Sequence, residues 1–127
     1  MAIISGIDHV QLAMPVGSEG IARAFYTGVL GLTELPKPDH MLVHGGVWFQ
    51  CGSAQLHLGG DPDFVAAKKA HPALLVDSVD EVLRVLREHG FEGSGDEPVD
   101  GRQRARLFDP FGNRIELIGP PGGMGQA

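Results

Sequence analysis

The sequence predicts an α+β fold, in which two tandem βαβββ modules form a cupped mixed sheet with the helices on its outer face. Three observations carry this. The alternating segment Asp8 to Met14 recurs as Ala70 to Val76 with histidine at the same place, so His71 follows His9 by 62 residues. After each copy comes an amphipathic run with helix start and stop signals. Each run is followed by two strand-like segments that close in a hairpin.

The first strand, around His9 to Met14, alternates polar and apolar residues. Alternation sends His9, Gln11 and Ala13 to one face and Val10, Leu12 and Met14 to the other, which should meet the helix. Ser18 opens that helix, Ile21, Ala22, Phe25, Tyr26, Val29 and Leu30 form its apolar stripe, and Gly31 ends it. Val47 to Cys51 and Gln55 to Leu58 read as the hairpin of this module. A connector near residues 59–69 follows, with a short helical turn expected around Phe64 to Lys69.

The second module repeats the plan. Ser78 and Glu81 have capping-box spacing, Val82, Leu83 and Leu86 form the stripe, and Gly90 after His89 is the expected stop. Arg104 to Phe108 and Arg114 to Ile118 read as its hairpin, joined by Asp109-Pro110-Phe111-Gly112-Asn113, which has turn chemistry throughout. Gln50 precedes His57 by seven residues and Asp109 precedes Glu116 by seven, which predicts turns of matching length. The domain reading is a single domain of 127 residues: module 1 at about 6–60, module 2 at about 70–118, and a flexible tail at 119–127.

Composition narrows the function classes. With 43% hydrophobic and 20% charged residues the chain has the balance of a globular protein. No apolar run approaches the roughly 20 residues that cross a bilayer. The opening Met1 to Ser5 lacks the basic segment and apolar length of a secretory signal, so cytoplasmic residence and no membrane partner are expected. Cys51 is the single cysteine, which rules out an intramolecular disulfide and suits a small half-buried hydrophobe. A net charge of −6, with the basic residues in no long run, argues against nucleic acid.

Strand parity gathers the chemistry. His9, His57 with Gln55, His71, and Glu116 with Arg114 all fall on the non-helical faces of their sheets, so each module contributes two metal-capable groups. If the two sheets combine into a cup, the four groups can converge. Three imidazoles and one carboxylate suit one divalent ion of borderline softness, namely Fe, Mn, Ni, Co or Zn, whereas Mg or Ca prefers more oxygens. Four protein donors on a six-coordinate ion leave two positions for a substrate with neighbouring oxygens. His57 can alternatively act as a general base, since imidazole exchanges protons near neutral pH.

Other residues fit supporting roles. Gln11 and Gln55 share the ligand parity and can orient ligands or bind substrate. Trp48 or Phe49 should wall the cup. Arg102, Arg104 and Arg106 alternate on a strand, and Arg104 with Arg114 can present guanidinium groups to an anionic substrate. His44 is the remaining histidine with a route to the pocket, while His40 and His89 read as turn and helix-end residues.

These segments resemble the vicinal-oxygen-chelate superfamily, which includes glyoxalase I, methylmalonyl-CoA epimerase, extradiol dioxygenases, fosfomycin-resistance transferases and bleomycin-binding proteins. The resemblance rests on Ile7-Asp8-His9-Val10, Phe25-Tyr26 with Val29-Leu30-Gly31-Leu32, and Asp109 to Glu116, and it spans Gly6 to Ile118. It implies that His9, His71 and Glu116 stand at the family's three commonest ligand positions and His57 at the fourth, where glyoxalase I has glutamate and the epimerase glutamine. The implied function is a divalent-metal-dependent, glyoxalase-like enzyme acting on a small oxygen-rich substrate by isomerase or lyase chemistry, with Glu116 and His57 as catalytic groups. The alternatives are a metal-free small-molecule binding protein of the bleomycin-resistance type and a small extradiol-type dioxygenase. The resemblance also suggests a homodimer, with the site formed within one chain or between two.

Overall fold

The computed structural model describes residues 2–122 and divides into two compact units, Met1–Val65 and Ala66–Ala127. Residues 123–127 of the predicted tail lie outside the described residues. Each unit carries one α-helix and a four-stranded mixed sheet, so the α+β class and the paired βαβββ plan are both observed.

In the first unit β1 (His9–Met14) is followed by α1 (Glu19–Tyr26), β2 (Thr33–Leu35), a 3₁₀ helix (Asp39–His44), β3 (Val47–Cys51) and β4 (Ala54–Gly60). The sheet order is β1-β4-β3-β2, with β1 parallel to β4 and the other pairs antiparallel. α1 buries Ala22, Phe25 and Tyr26. The sheet buries Met14, Val47, Phe49, Leu56 and Leu58, and Tyr26 meets Phe49 with ring centres 5.4 Å apart. Ile21, expected on the stripe, is exposed. The helix also stops four residues before the predicted Leu30. From Thr27 the chain unwinds through bonds such as Gly28 N–H to Arg23 O (3.1 Å) and Leu30 N–H to Phe25 O (3.0 Å), and Gly31 closes the segment at φ +78°.

The second unit runs β5 (Ala73–Leu75), α2 (Val79–Glu88), β6 (Gly93–Val99), β7 (Arg102–Phe108) and β8 (Arg114–Ile118), ordered β5-β8-β7-β6. Val79 and Leu86 of α2 are buried, as are Ala105, Leu107, Ile115 and Leu117 of the sheet. α2 starts as its sequence predicts, with Ser78 Oγ accepting from Glu81 N–H at 3.1 Å. It ends at Gly90, with φ +81° and a Phe91 N–H to Leu86 O bond of 2.9 Å. Ser78→Ala removes that cap, and a loss of about 1 kcal/mol is expected in urea unfolding. A change within experimental error would show that the cap adds nothing.

Two predicted connections are corrected. The hairpin turns differ in length: β3 and β4 close through a two-residue turn with Cys51 opposite Ala54, whereas β7 and β8 are joined by five residues between Phe108 and Arg114. Gly52, at φ +58°, permits the tight turn. The longer loop is organised by Asp109, whose Oδ1 accepts from Phe111 N–H (2.9 Å) and Asn113 N–H (2.8 Å) while Oδ2 accepts from Asn113 Nδ2 (2.9 Å). The second correction is that no helical turn forms at Phe64 to Lys69. The turn lies earlier, where Asp61 O accepts from Phe64 N–H (3.1 Å) and Asp61 Oδ1 from Asp63 N–H (2.8 Å).

Candidate functional site

The first unit brings its predicted site residues together on the open face of β1, β4 and β3. Gln11 lies opposite His57, His57 opposite Trp48, and His9 opposite Gln55. The rings stack in a row: Trp48 on His57 at 4.4 Å and 8°, and His57 on His9 at 4.2 Å and 12°. Phe49 points the other way and is fully buried, so Trp48 is the wall residue of the pair.

Hydrogen bonds fix the ring orientations. His9 Nδ1 faces Asp8 Oδ2 at 2.9 Å, and His57 Nε2 faces Gln55 Oε1 at 2.9 Å. Burial pushes the His57 pKa below the usual imidazole range and the adjacent His9 pushes it the same way, with Asp8 opposing. His57 is therefore held neutral at physiological pH, the form that can bind a metal or accept a proton. The Gln11 amide lies over Gly59, where an added Cβ would stand 2.5 Å from Gln11 Nε2.

These side chains line a cleft of about 520 Å³ together with Lys37, Met41 and His44. Sequence reading singled out His44 but not Lys37 or Met41. They arrive on the 3₁₀ helix and its approach, a segment with neither period to mark its faces. Its only local signal is Pro38 before Asp39.

In the second unit His71, Glu116 and Arg104 form a connected group. His71 sits just before β5, and its Nε2 is 3.1 Å from Glu116 Oε1. Its Nδ1 faces Lys69 O at 2.7 Å, which fixes the ring as a backbone carbonyl commonly does for a ligand histidine. Arg104 Nε donates to Glu116 Oε2 at 2.8 Å and its Nη1 to Glu97 O at 3.0 Å. The Arg104 hydrogen bond holds the buried Glu116 carboxyl below the usual range, against burial and with help from His71.

The Asp109 loop sets this geometry, because it fixes the β8 register in which Glu116 lies opposite both Ala73 and Arg106. Arg114 is on the same strand, but its buried Nε has no hydrogen-bond partner among the described residues. Arg102 is committed elsewhere, donating from Nε to Gly119 O at 2.8 Å. His89 caps α2 through Nδ1 and Val85 O at 2.9 Å. Burial raises the Cys51 thiol pKa, which disfavours a nucleophilic role.

The predicted donors therefore occur as two pairs, one in each unit. Among the described residues, no group of three or more His, Cys, Asp or Glu is gathered for a metal ion within either unit. No helix among the described residues is long and apolar enough to cross a membrane.

Comparison with solved structures gives matches over nearly the whole chain. A glyoxalase family protein from Bacillus anthracis is 44% identical with a TM-score of 0.89, covering 94% of this chain and 98% of its own. TnmS3, an antibiotic binding protein from Streptomyces sp. CB03234, is 25% identical with a TM-score of 0.71, covering 94% and 99%. A lactoylglutathione lyase from Agrobacterium tumefaciens shares the fold at 22% identity and a TM-score of 0.72, covering 93% and 96%. Comparison with curated proteins gives no match. The model of the Glyoxalase/Bleomycin resistance protein/Dioxygenase superfamily matches residues 6–117, and with the two βαβββ units this places the chain in that superfamily.

Proposed function

We propose that the protein is a divalent-metal-dependent enzyme that acts on a small oxygen-rich substrate by isomerase or lyase chemistry, with His9, His57, His71 and Glu116 as the metal donors. The carrying observation is the repeated pairing: in each unit a histidine at or just before the first strand lies against a second candidate donor on the last strand, the His9 and His57 ring centres 4.2 Å apart and His71 Nε2 3.1 Å from Glu116 Oε1. The donor chemistry fits. His9 engages Nδ1 with Asp8 and leaves Nε2 as the ligand atom, His71 engages Nδ1 with Lys69 O and turns Nε2 toward its fellow donor Glu116, and His57 is neutral. A bound Fe, Mn, Ni, Co or Zn ion would supply Lewis-acid polarisation of adjacent substrate oxygens.

The chain's own residues supply the rest of the chemistry. Alternatively to ligating, an unbound His57 can accept a proton from substrate at Nδ1, with Gln55 Oε1 fixing its ring through Nε2 and Trp48 and His9 covering its faces. Gln11 offers an amide to a substrate oxygen, and Arg104 keeps Glu116 ionised. We further propose a homodimer located in the cytoplasm.

A second reading, a metal-free small-molecule binding protein, draws support from the unit 1 cleft and from the likeness to an antibiotic binding protein. The test is metal analysis of tag-free protein, with light scattering to compare the assembly with the 13.5 kDa chain. About one ion per chain is expected, and its loss in His9→Ala and in Glu116→Gln. Unchanged metal content in both variants would overturn the assignment, and tight ligand binding unaffected by chelator, without turnover, would favour the second reading.

A further inference from the structure

The unit 1 cleft carries one cationic side chain that the net charge of the chain does not predict. The net charge is −6, so an approaching anion is repelled on average. Of the cleft-lining residues only Asp8 and Lys37 carry fixed charge, and Asp8 is occupied with His9 at 2.9 Å. Lys37 pairs with no carboxylate among the described residues. Glu19, an acid whose ionisation Lys37 favours, gives its Oε2 to Gly46 N–H at 2.8 Å.

Lys37 is nevertheless held in place. Its Nζ donates to Gly45 O, at the end of the 3₁₀ helix, and lies 5.8 Å from the centre of the Trp48 ring. One of the three ammonium N–H groups is thereby used and two are left for a ligand. His44 and Met41 lie on the same wall, the first adding a polar ring and the second a deformable apolar surface.

We infer that Lys37 makes this cleft selective for small organic monoanions, with the anionic group on Lys37 and the apolar body against Met41 and Trp48. The inference rests on the reading of this face as the substrate site and names the class of substrate it takes. A charge-assisted contact to an ammonium with no acidic partner favours an anion over its neutral isostere, because no existing ion pair is broken to form it.

Trp48 is the only tryptophan in the chain, so its fluorescence reports cleft occupancy without a label. The experiment titrates cyclohexanecarboxylate and the neutral cyclohexanecarboxamide into full-length protein in the presence of EDTA. Working without metal separates this outcome from that of the metal assignment. A saturable Trp48 response is expected for the carboxylate, with at least about tenfold weaker binding of the amide. Lys37→Gln is expected to abolish that preference and Lys37→Arg to retain it, while circular dichroism checks that both variants fold. Equal affinities for the two probes in the wild-type protein, no saturable response, or a preference surviving in folded Lys37→Gln would overturn the inference.

Discussion

Phe49→Ala is expected to destabilise the first unit by about 3–5 kcal/mol, the largest stability effect of any single change proposed. Phe49 is 0% exposed and its ring centre lies 5.4 Å from that of Tyr26, which in turn meets Phe25 edge-on at 5.1 Å. Truncation removes the aromatic area that fastens α1 to β3 and leaves a cavity that Tyr26 and Leu56 cannot close without moving. Urea unfolding followed by Trp48 fluorescence and by circular dichroism measures the loss. Because Trp48 adjoins the substituted residue, the ring stack with His57 should loosen at denaturant concentrations where the wild type is intact. A cost below about 1 kcal/mol would mean that the helix is held to the sheet by something other than this aromatic group.

Glu116→Gln is expected to cost about 1.5–3 kcal/mol near neutral pH, the range for hydrogen bonds to charged groups. The carboxylate accepts from Arg104 at 2.8 Å and lies 3.1 Å from His71 Nε2, and it is only 10% exposed. The pH dependence follows from its direction of shift. Arg104 lowers the folded-state pKa of Glu116 below its unfolded value, so the unfolded chain takes up the proton first on acidification. The stabilisation is fully present above the ordinary glutamate pKa of about 4.3 and disappears as the pH falls through the lower folded value. The difference in melting temperature between wild type and variant should therefore be greatest at neutral pH and vanish in strong acid. A difference that grew on acidification would contradict the Arg104 contact.

Much of this architecture can be read from residue order. Alternation around His9 and His57 fixed their common face, and the same parity separated Trp48 from Phe49, because a buried helix-facing side forces apolar residues onto every second position. The Ser78 cap and the Gly90 stop were legible for an equally local reason, since each satisfies backbone groups within its own turn.

What escaped depends on partners distant in sequence. β6 reads Gly-Ser-Gly-Asp-Glu-Pro-Val and has no strand pattern; it is a strand because β7 pairs with it, with the register slipping between Asp96 and Val99 around Pro98, which lacks an N–H. A signal did exist in Asp100-Gly101, both at positive φ between the paired Val99 and Arg102, a common hairpin turn. β2 is only three residues long, too short for any period. Lys37 became visible only once the 3₁₀ helix had brought it to Trp48.

Under the proposed reading of the unit 1 cleft as a substrate site, Gly59 would share its recognition chemistry with the neighbouring strand. Its bare Cα gives the Gln11 carboxamide a resting place, so the direction of that hydrogen-bonding group is dictated by a residue with no side chain of its own. A larger residue would displace the flexible end of Gln11 and leave the sheet intact. Variation at position 59 would thus retune which small molecules are accepted, a route to new selectivity that spares both the hydrophobic interior and the imidazole row.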